Sequence, residues 1–284
     1  MTEPDVFLGE GKYGRVFKRG NTVIKISKHS HDYQDFCREM RFYAWIATLV
    51  DRTEQRHFAR FISHRIHQDQ AGEWWSEITS EYKGVPLSLD HPDARTRYKL
   101  LTQILIIVQI MKKHHVVHED MHIGNFVVDN GVVALIDYGF THLQSQDTAE
   151  RDSENEMMFH VTDFMGNWDP INDEMERLGT VMPPRKLFLD AVKDAAPETY
   201  RSMREFVKLY NYSFSRPTNY SHIHVPYNTC LDFLRVFHPD LLLMAMGIKS
   251  APPPFFSAED YMDVYKYWDN INELVRIFRA KAES

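Results

Sequence analysis

Between His114 and Thr141 the chain reads HHVVHEDMHIGNFVVDNGVVALIDYGFT, and this stretch restricts the fold more tightly than any other. Two β-branched runs, Phe126-Val127-Val128 and Val132 to Ile136, are separated by Asp129-Asn130-Gly131. An Asn-Gly pair tolerates the positive φ that a tight turn demands, so the segment predicts a β-hairpin. Polar residues flank it. Asp120 and Asn125 fall in the loop before the first strand, and Asp137 falls just after the second. A rigid hairpin with carboxylates at both ends is a suitable mount for metal binding and proton transfer.

Length and charge narrow the setting for that hairpin. A chain of 284 residues accommodates one large domain or two lobes. The formal net charge of −7 argues against general affinity for nucleic acid or an anionic membrane. Cys37 and Cys230 are far apart and form no metal pattern, which fits a reducing, intracellular and soluble (cytoplasmic) setting. The first residues carry no basic-then-apolar leader. The apolar run Ile104 to Met111 is too short to span a bilayer.

The first third reads as strands around a glycine loop. Val6-Phe7-Leu8 leads into Gly9-Glu10-Gly11-Lys12-Tyr13-Gly14, Val16-Phe17 resumes the strand, and Thr22 to Ile26 returns after a turn. Gly9-x-Gly11-x-x-Gly14-x-Val16 lets backbone approach a phosphate closely. A strand follows rather than a helix, which disfavours a dinucleotide-binding unit; a purely structural hairpin stays open. Residues 32–50 predict a helix with Phe36, Met40, Tyr43 and Ala47 on one apolar face. Glu39 falls on that face, at an edge reaching water or against a cation. Lys25 points to solvent or supplies that cation. Residues 59–82 predict two more strands, with one of Trp74 and Trp75 in the core.

Lys83-Gly84-Val85-Pro86 breaks the pattern, so a lobe boundary is expected near residue 83. Residues 95–113 predict a helix that is apolar on nearly every side, with Leu101, Ile104, Leu105, Val108 and Met111 at helical spacing. Residues 144–156 read as an exposed charged loop. The remainder is helical by pattern, with breaks at Pro183-Pro184, Pro217 and Pro252 to Pro254, and closes on one amphipathic helix from Ala258 to Ala280 that includes Trp268. The plan is α+β: a small strand-rich part over residues 1–82 and a larger helical part over 83–284.

His118-Glu119-Asp120-Met121-His122 fits two templates. H-E-x-x-H places two histidines on one helical face for zinc, with the glutamate as base, as in a zinc protease. That template needs helix at 118–122, yet strands follow within a few residues. A third ligand would have to come from Glu150, Glu154 or Glu156. The second template is H-x-D-x-x-x-x-N, read as His118, Asp120 and Asn125 and followed by Asp137-Tyr138-Gly139.

With the glycine loop at 9–16, Lys25, Glu39 and Glu81-Tyr82 in order before it, the chain resembles the protein-kinase-like superfamily over about its first half. The resemblance implies a two-lobed fold, with lobes at 1–82 and 83–284, and an ATP- and Mg2+-dependent phosphotransferase. Its first implied acceptor is a serine or threonine hydroxyl of a protein substrate, with no specific nucleic acid and no membrane. By the same resemblance, Asp120 orients the acceptor hydroxyl or takes its proton. Asn125 and Asp137 hold Mg2+. Lys25, fixed by Glu39, binds phosphate oxygens under Gly9, Glu10, Gly11, Gly14 and Val16. Ser80 is a small gatekeeper, and the backbone of Glu81 and Tyr82 meets adenine.

This chain departs from the protein-kinase pattern at two positions. Glu119 replaces the arginine that ordinarily receives an activation-loop phosphate, and His122 replaces a lysine. The pattern H-x-D-x-H-x-G-N also resembles aminoglycoside and choline kinases, which makes a small-molecule kinase the alternative; a pseudokinase scaffold is a further one. Asp173 resembles the buried aspartate that anchors the catalytic loop, or is an exposed helix-start residue. The compact form resembles kinase-like proteins of large DNA viruses, in which case the compartment is a host cell.

Overall fold

The structure is a computed structural model, which describes residues 5–11, 14–28, 33–49, 51–143, 161, 164–165, 177, 185–214, 230, 233–234, 237–247, 255–267 and 270–284. It is α+β, with an antiparallel N-terminal sheet and helices. The chain forms two compact units. One comprises Met1–Ser88 with Ile106–Ser153, the other Leu89–Leu105 with Glu154–Ser284.

The first unit is built on five antiparallel strands: β1 (Val6–Gly11), β2 (Gly14–Arg19), β3 (Thr22–Lys28), β4 (Phe61–Gln68) and β5 (Trp74–Glu81), in the order β1-β2-β3-β5-β4. Val16 pairs with Lys25 and Lys25 with Ile78, while Val23 pairs with Ser80. Directly opposed residues point to the same face, so Val16, Val23, Lys25, Ile78 and Ser80 line one side of the sheet. Gly14 is fixed by close approach, because a Cβ there would lie 2.2 Å from the carbonyl oxygen of Ile26. Gly9 meets nothing within 4 Å of such an atom. Neither Trp74 nor Trp75 is in the core. Trp74 is half exposed, and the Trp75 indole N–H donates to Asp69 Oδ2 at 2.9 Å.

Helix α1 (Tyr33–Thr48) carries the burial stripe Phe36, Glu39, Phe42 with Tyr43, and Ile46. That stripe is rotated from the expected Phe36-Met40-Tyr43-Ala47 face: Met40 is half-buried and Ala47 exposed. The large rings of Phe42 and Trp45 claim the interior, where they pack on Phe58, and burial follows apolar area. Beyond the short helix α2 (Arg52–Gln55), β6 (Val85–Pro86) pairs with the hairpin β8 (Phe126–Asp129) and β9 (Val132–Leu135). Asp129 opposes Val132, and Asn130 and Gly131 have φ of 49° and 78°, the two-residue turn that the Asn-Gly pair predicts. His57 ties this hairpin to the α2–β4 connection. Its ring contacts Val133 O at 2.7 Å, and its own carbonyl accepts from Leu135 N at 2.9 Å. Two further short strands, β7 (Val116–Val117) and β10 (His142–Leu143), pair with each other.

Helix α3 (Ala94–Lys113) contains the division between the units. Leu101, Ile104, Leu105, Ile107, Val108, Ile110 and Met111 are all buried on it, in line with a helix apolar on nearly every side. In the second unit the described helices are α4 (Arg185–Ala195), α5 (Pro197–Phe214), α6 (Pro239–Ala245), α7 (Ala258–Lys266) and α8 (Ile271–Glu283). Phe188, Val192, Leu234, Leu242 and Tyr265 form part of its core. The expected single C-terminal helix is two. Asn270 caps α8 by accepting from Glu273 N at 3.2 Å, a local bond that competes with helix continuation. Asp260, fully buried on α7, accepts from Tyr98 Oη, Ser257 N, Ser257 Oγ and Lys281 Nζ. No described helix is long and apolar enough to cross a membrane. The 144–156 loop, Asp173, Trp268 and the proline breaks lie outside the described residues.

Candidate active site

Lys25 is the hub. Its ammonium lies 3.1 Å from Glu39 Oε2 and 2.6 Å from Asp137 Oδ1. Strand β3 sets its height and α1 brings Glu39 over the sheet. Glu39 is buried, and the ammonium is the cation that its apolar face required. Burial by itself would lower the Lys25 pKa, but the charges of Glu39 and Asp137 outweigh it and raise the pKa. Burial likewise works against ionisation of Asp137, and the Lys25 ammonium overrides it, holding the carboxyl below the usual range. Lys25 and Asp137 are therefore both charged at neutral pH.

A second cluster lies in the loop before the hairpin. Asn125 Nδ2 donates to Asp120 O at 2.7 Å and to Asp120 Oδ2 at 3.1 Å. His122 Nε2 lies 3.6 Å from Asp120 Oδ1, and its Nδ1 accepts from Gly124 N at 3.1 Å. The two clusters are tied through backbone, because Ile136 N donates to Asn125 O at 2.9 Å, one residue before Asp137. His118 is fully buried, and its Nε2 donates to Ile136 O at 3.2 Å. Burial lowers its pKa to about 4, so the ring is neutral.

Residues 118–122 are not helical, so His118 and His122 do not share a helix face as a zinc protease requires. Among the described residues no group of three or more His, Cys, Asp and Glu side chains is placed to hold a metal ion. Glu150, Glu154 and Glu156 lie outside the described residues. Glu119 has φ 58° and lies 3.7 Å from His142 Nδ1.

At the end of β5, Ser80 is buried and is hydrogen-bonded to the Tyr43 phenol. Glu81 N donates to Arg60 O and Tyr82 N to Asn21 O, both at 2.9 Å. Both amides are therefore spent within the unit. In the glycine loop, Gly9, Glu10 and Gly11 lie on β1, while Gly14 and Val16 lie on β2. Its tip, Lys12-Tyr13, lies outside the described residues. Sequence reasoning missed the phenol of Tyr138, which is fully buried beside Asp137. The signal was available, since a tyrosine stands between Asp137 and Gly139 where an apolar ring would fill the same space.

Comparison with known proteins adds an independent line. No family model matches the chain. The dual specificity protein kinase zakA of Dictyostelium discoideum is 24% identical over 151 residues, 51% of this chain and 19% of that protein. The serine/threonine-protein kinase MPS1 of Saccharomyces cerevisiae is 23% identical over 151 residues, 50% of this chain and 19% of that protein. The chain thus spans about a fifth of the length of these relatives. The similarity indicates a distant, kinase-like relationship over half the chain.

Proposed function

We propose that this chain is an ATP- and Mg2+-dependent phosphotransferase, a protein serine/threonine kinase that transfers the γ-phosphate to a hydroxyl. One observation carries the reading: Lys25 bridges a buried Glu39 and Asp137 in the same unit that holds the Asp120–Asn125 pair. In this reading the fold is protein-kinase-like, with a small lobe at 1–82 and a large lobe at 83–284.

The donor set fits the cofactor. Because Asn125 Nδ2 is engaged twice by Asp120, its Oδ1 is the atom left for a metal. With the Asp137 carboxylate it offers the hard oxygens that Mg2+ prefers. Mg2+ would neutralise charge developing on the phosphates. Lys25 would bind phosphate oxygens, held extended by Glu39, under the backbone of Gly9, Glu10, Gly11, Gly14 and Val16. Asp120 would orient the acceptor hydroxyl and take its proton. Catalysis is then chiefly positioning and fixed charge. Since the N–H groups of Glu81 and Tyr82 are spent, their carbonyls and the following Lys83 amide are the backbone groups we assign to adenine.

Both relatives bear protein-kinase names, which favours a protein acceptor. His122 beside Asp120, in place of a lysine, favours a small-molecule acceptor of the aminoglycoside or choline type, and that is the second reading. A radiolabelled-ATP assay run against lysate proteins and metabolites in parallel decides between them. Asp120→Ala is expected to abolish transfer while ATP binding persists; turnover by that variant would refute the assignment. At 100 times its Kd, Mg-ATP should stabilise the chain by about 2.7 kcal/mol, and no thermal shift at millimolar ATP would sink the reading.

A further inference from the structure

Asp137 is a non-glycine residue in the left-handed region, with φ 61°. Such a conformation is costly and persists only where its surroundings over-determine it. On its N-terminal side the restraint is backbone: Ile136 N bonds Asn125 O, and Ile136 O accepts from His118. On its C-terminal side Thr141 N bonds Tyr138 O at 3.0 Å and the Gly139 amide bonds the Asp137 carboxylate, and one side chain adds to them. The Tyr138 hydroxyl donates to Leu135 O at 2.6 Å and accepts from Ala59 N at 2.9 Å. The first bond closes a loop from Leu135 to Tyr138 with Asp137 inside it. The second anchors that loop to the segment entering β4. The ring itself packs on Phe42 and Tyr43, with centroids at 4.2 and 5.2 Å.

A phenylalanine would keep those ring contacts. It would leave Ala59 N–H and Leu135 O without this partner in a buried site, and such groups are ordinarily paired. The hydroxyl is therefore not needed to fill space. We propose that the Tyr138 hydroxyl is a positioning group that holds the Asp137 carboxylate in its metal-binding attitude. This rests on the reading of Asp137 as a Mg2+ ligand. Lys25 alone does not do that work, because a flexible ammonium follows the carboxylate rather than fixing its backbone.

The test uses full-length protein and two phenol deletions. Tyr138→Phe removes the group in question. Tyr261→Phe removes another fully buried phenol, which donates to Met165 O in the second unit, and so reports the cost of losing a buried hydrogen bond outside the unit that holds Asp137. Mn2+ affinity in the presence of ADP is read by electron paramagnetic resonance, which needs no turnover. Melting temperature is read beside it. Tyr138→Phe should weaken Mn2+ binding by about fivefold or more, the size of one lost hydrogen bond in an equilibrium constant. Tyr261→Phe should lower the melting temperature and leave Mn2+ affinity within twofold, roughly, of wild type. Unchanged Mn2+ affinity in Tyr138→Phe, or an equal loss in Tyr261→Phe, overturns the proposal and spares the functional reading. Absence of Mn2+ binding by the wild-type chain with ADP overturns both.

Discussion

His118 turns the burial of one imidazole into a pH dependence of stability. The ring is fully buried, its Nε2 donates to Ile136 O, and burial brings its pKa to about 4. In the unfolded chain the same ring titrates near 6.5. Because the folded-state pKa is depressed, the unfolded chain takes up the proton first. The stability owed to the neutral ring is complete above about pH 7 and drains away as pH falls from about 6.5 to about 4. The loss attributable to His118 is about 2 kcal/mol at pH 5 and about 3 kcal/mol at pH 4. His118→Gln keeps an amide donor but cannot titrate. Urea unfolding of both proteins, followed through the methyl resonances of Val133 and Leu135 in the same unit, gives the difference directly. The wild-type advantage should shrink by about 2 kcal/mol between pH 7.5 and pH 5. Parallel pH curves for the two proteins would mean that the ring titrates normally in the folded state, and the burial argument would fail.

Gly84 has φ 119°, and a Cβ there would lie 2.1 Å from Val128 O, so Gly84→Ala should destabilise the β6–β8 pairing by roughly 2 kcal/mol or more. Urea unfolding checks it, and a change below about 0.5 kcal/mol would contradict the close approach. Asp260→Ala strips Tyr98, Ser257 and Lys281 of a shared buried acceptor and should cost about 3 kcal/mol or more in the second unit, read as a fall in melting temperature. Lys25→Met should remove Mg-ATP stabilisation in thermal melting, since the cation between Glu39 and Asp137 is lost; a wild-type shift would refute the phosphate role proposed for it.

What the sequence determined by itself is local. The Asn130-Gly131 turn needs two positive φ values, which that pair accepts wherever it stands, so the hairpin and the places of Asn125 and Asp137 at its ends were legible. The Lys25–Glu39 pair was legible for a related reason: a carboxylate on a buried helix face needs a cation, and the preceding strand offers one 14 positions away. The rotated face of α1 was not legible, because periodicity gives spacing and not which aromatic wins the interior. The split of the last helix was missed although Asn270 is a cap, since apolar spacing continues across it. The tertiary structure alone decided that Asp137, 112 positions from Lys25, lies 2.6 Å from its ammonium, and that the Tyr138 hydroxyl reaches Ala59 N, 79 positions away. A hydrogen bond has a strict length but no sequence separation. Which distant partners meet is settled only when the strands and helices that carry them pack.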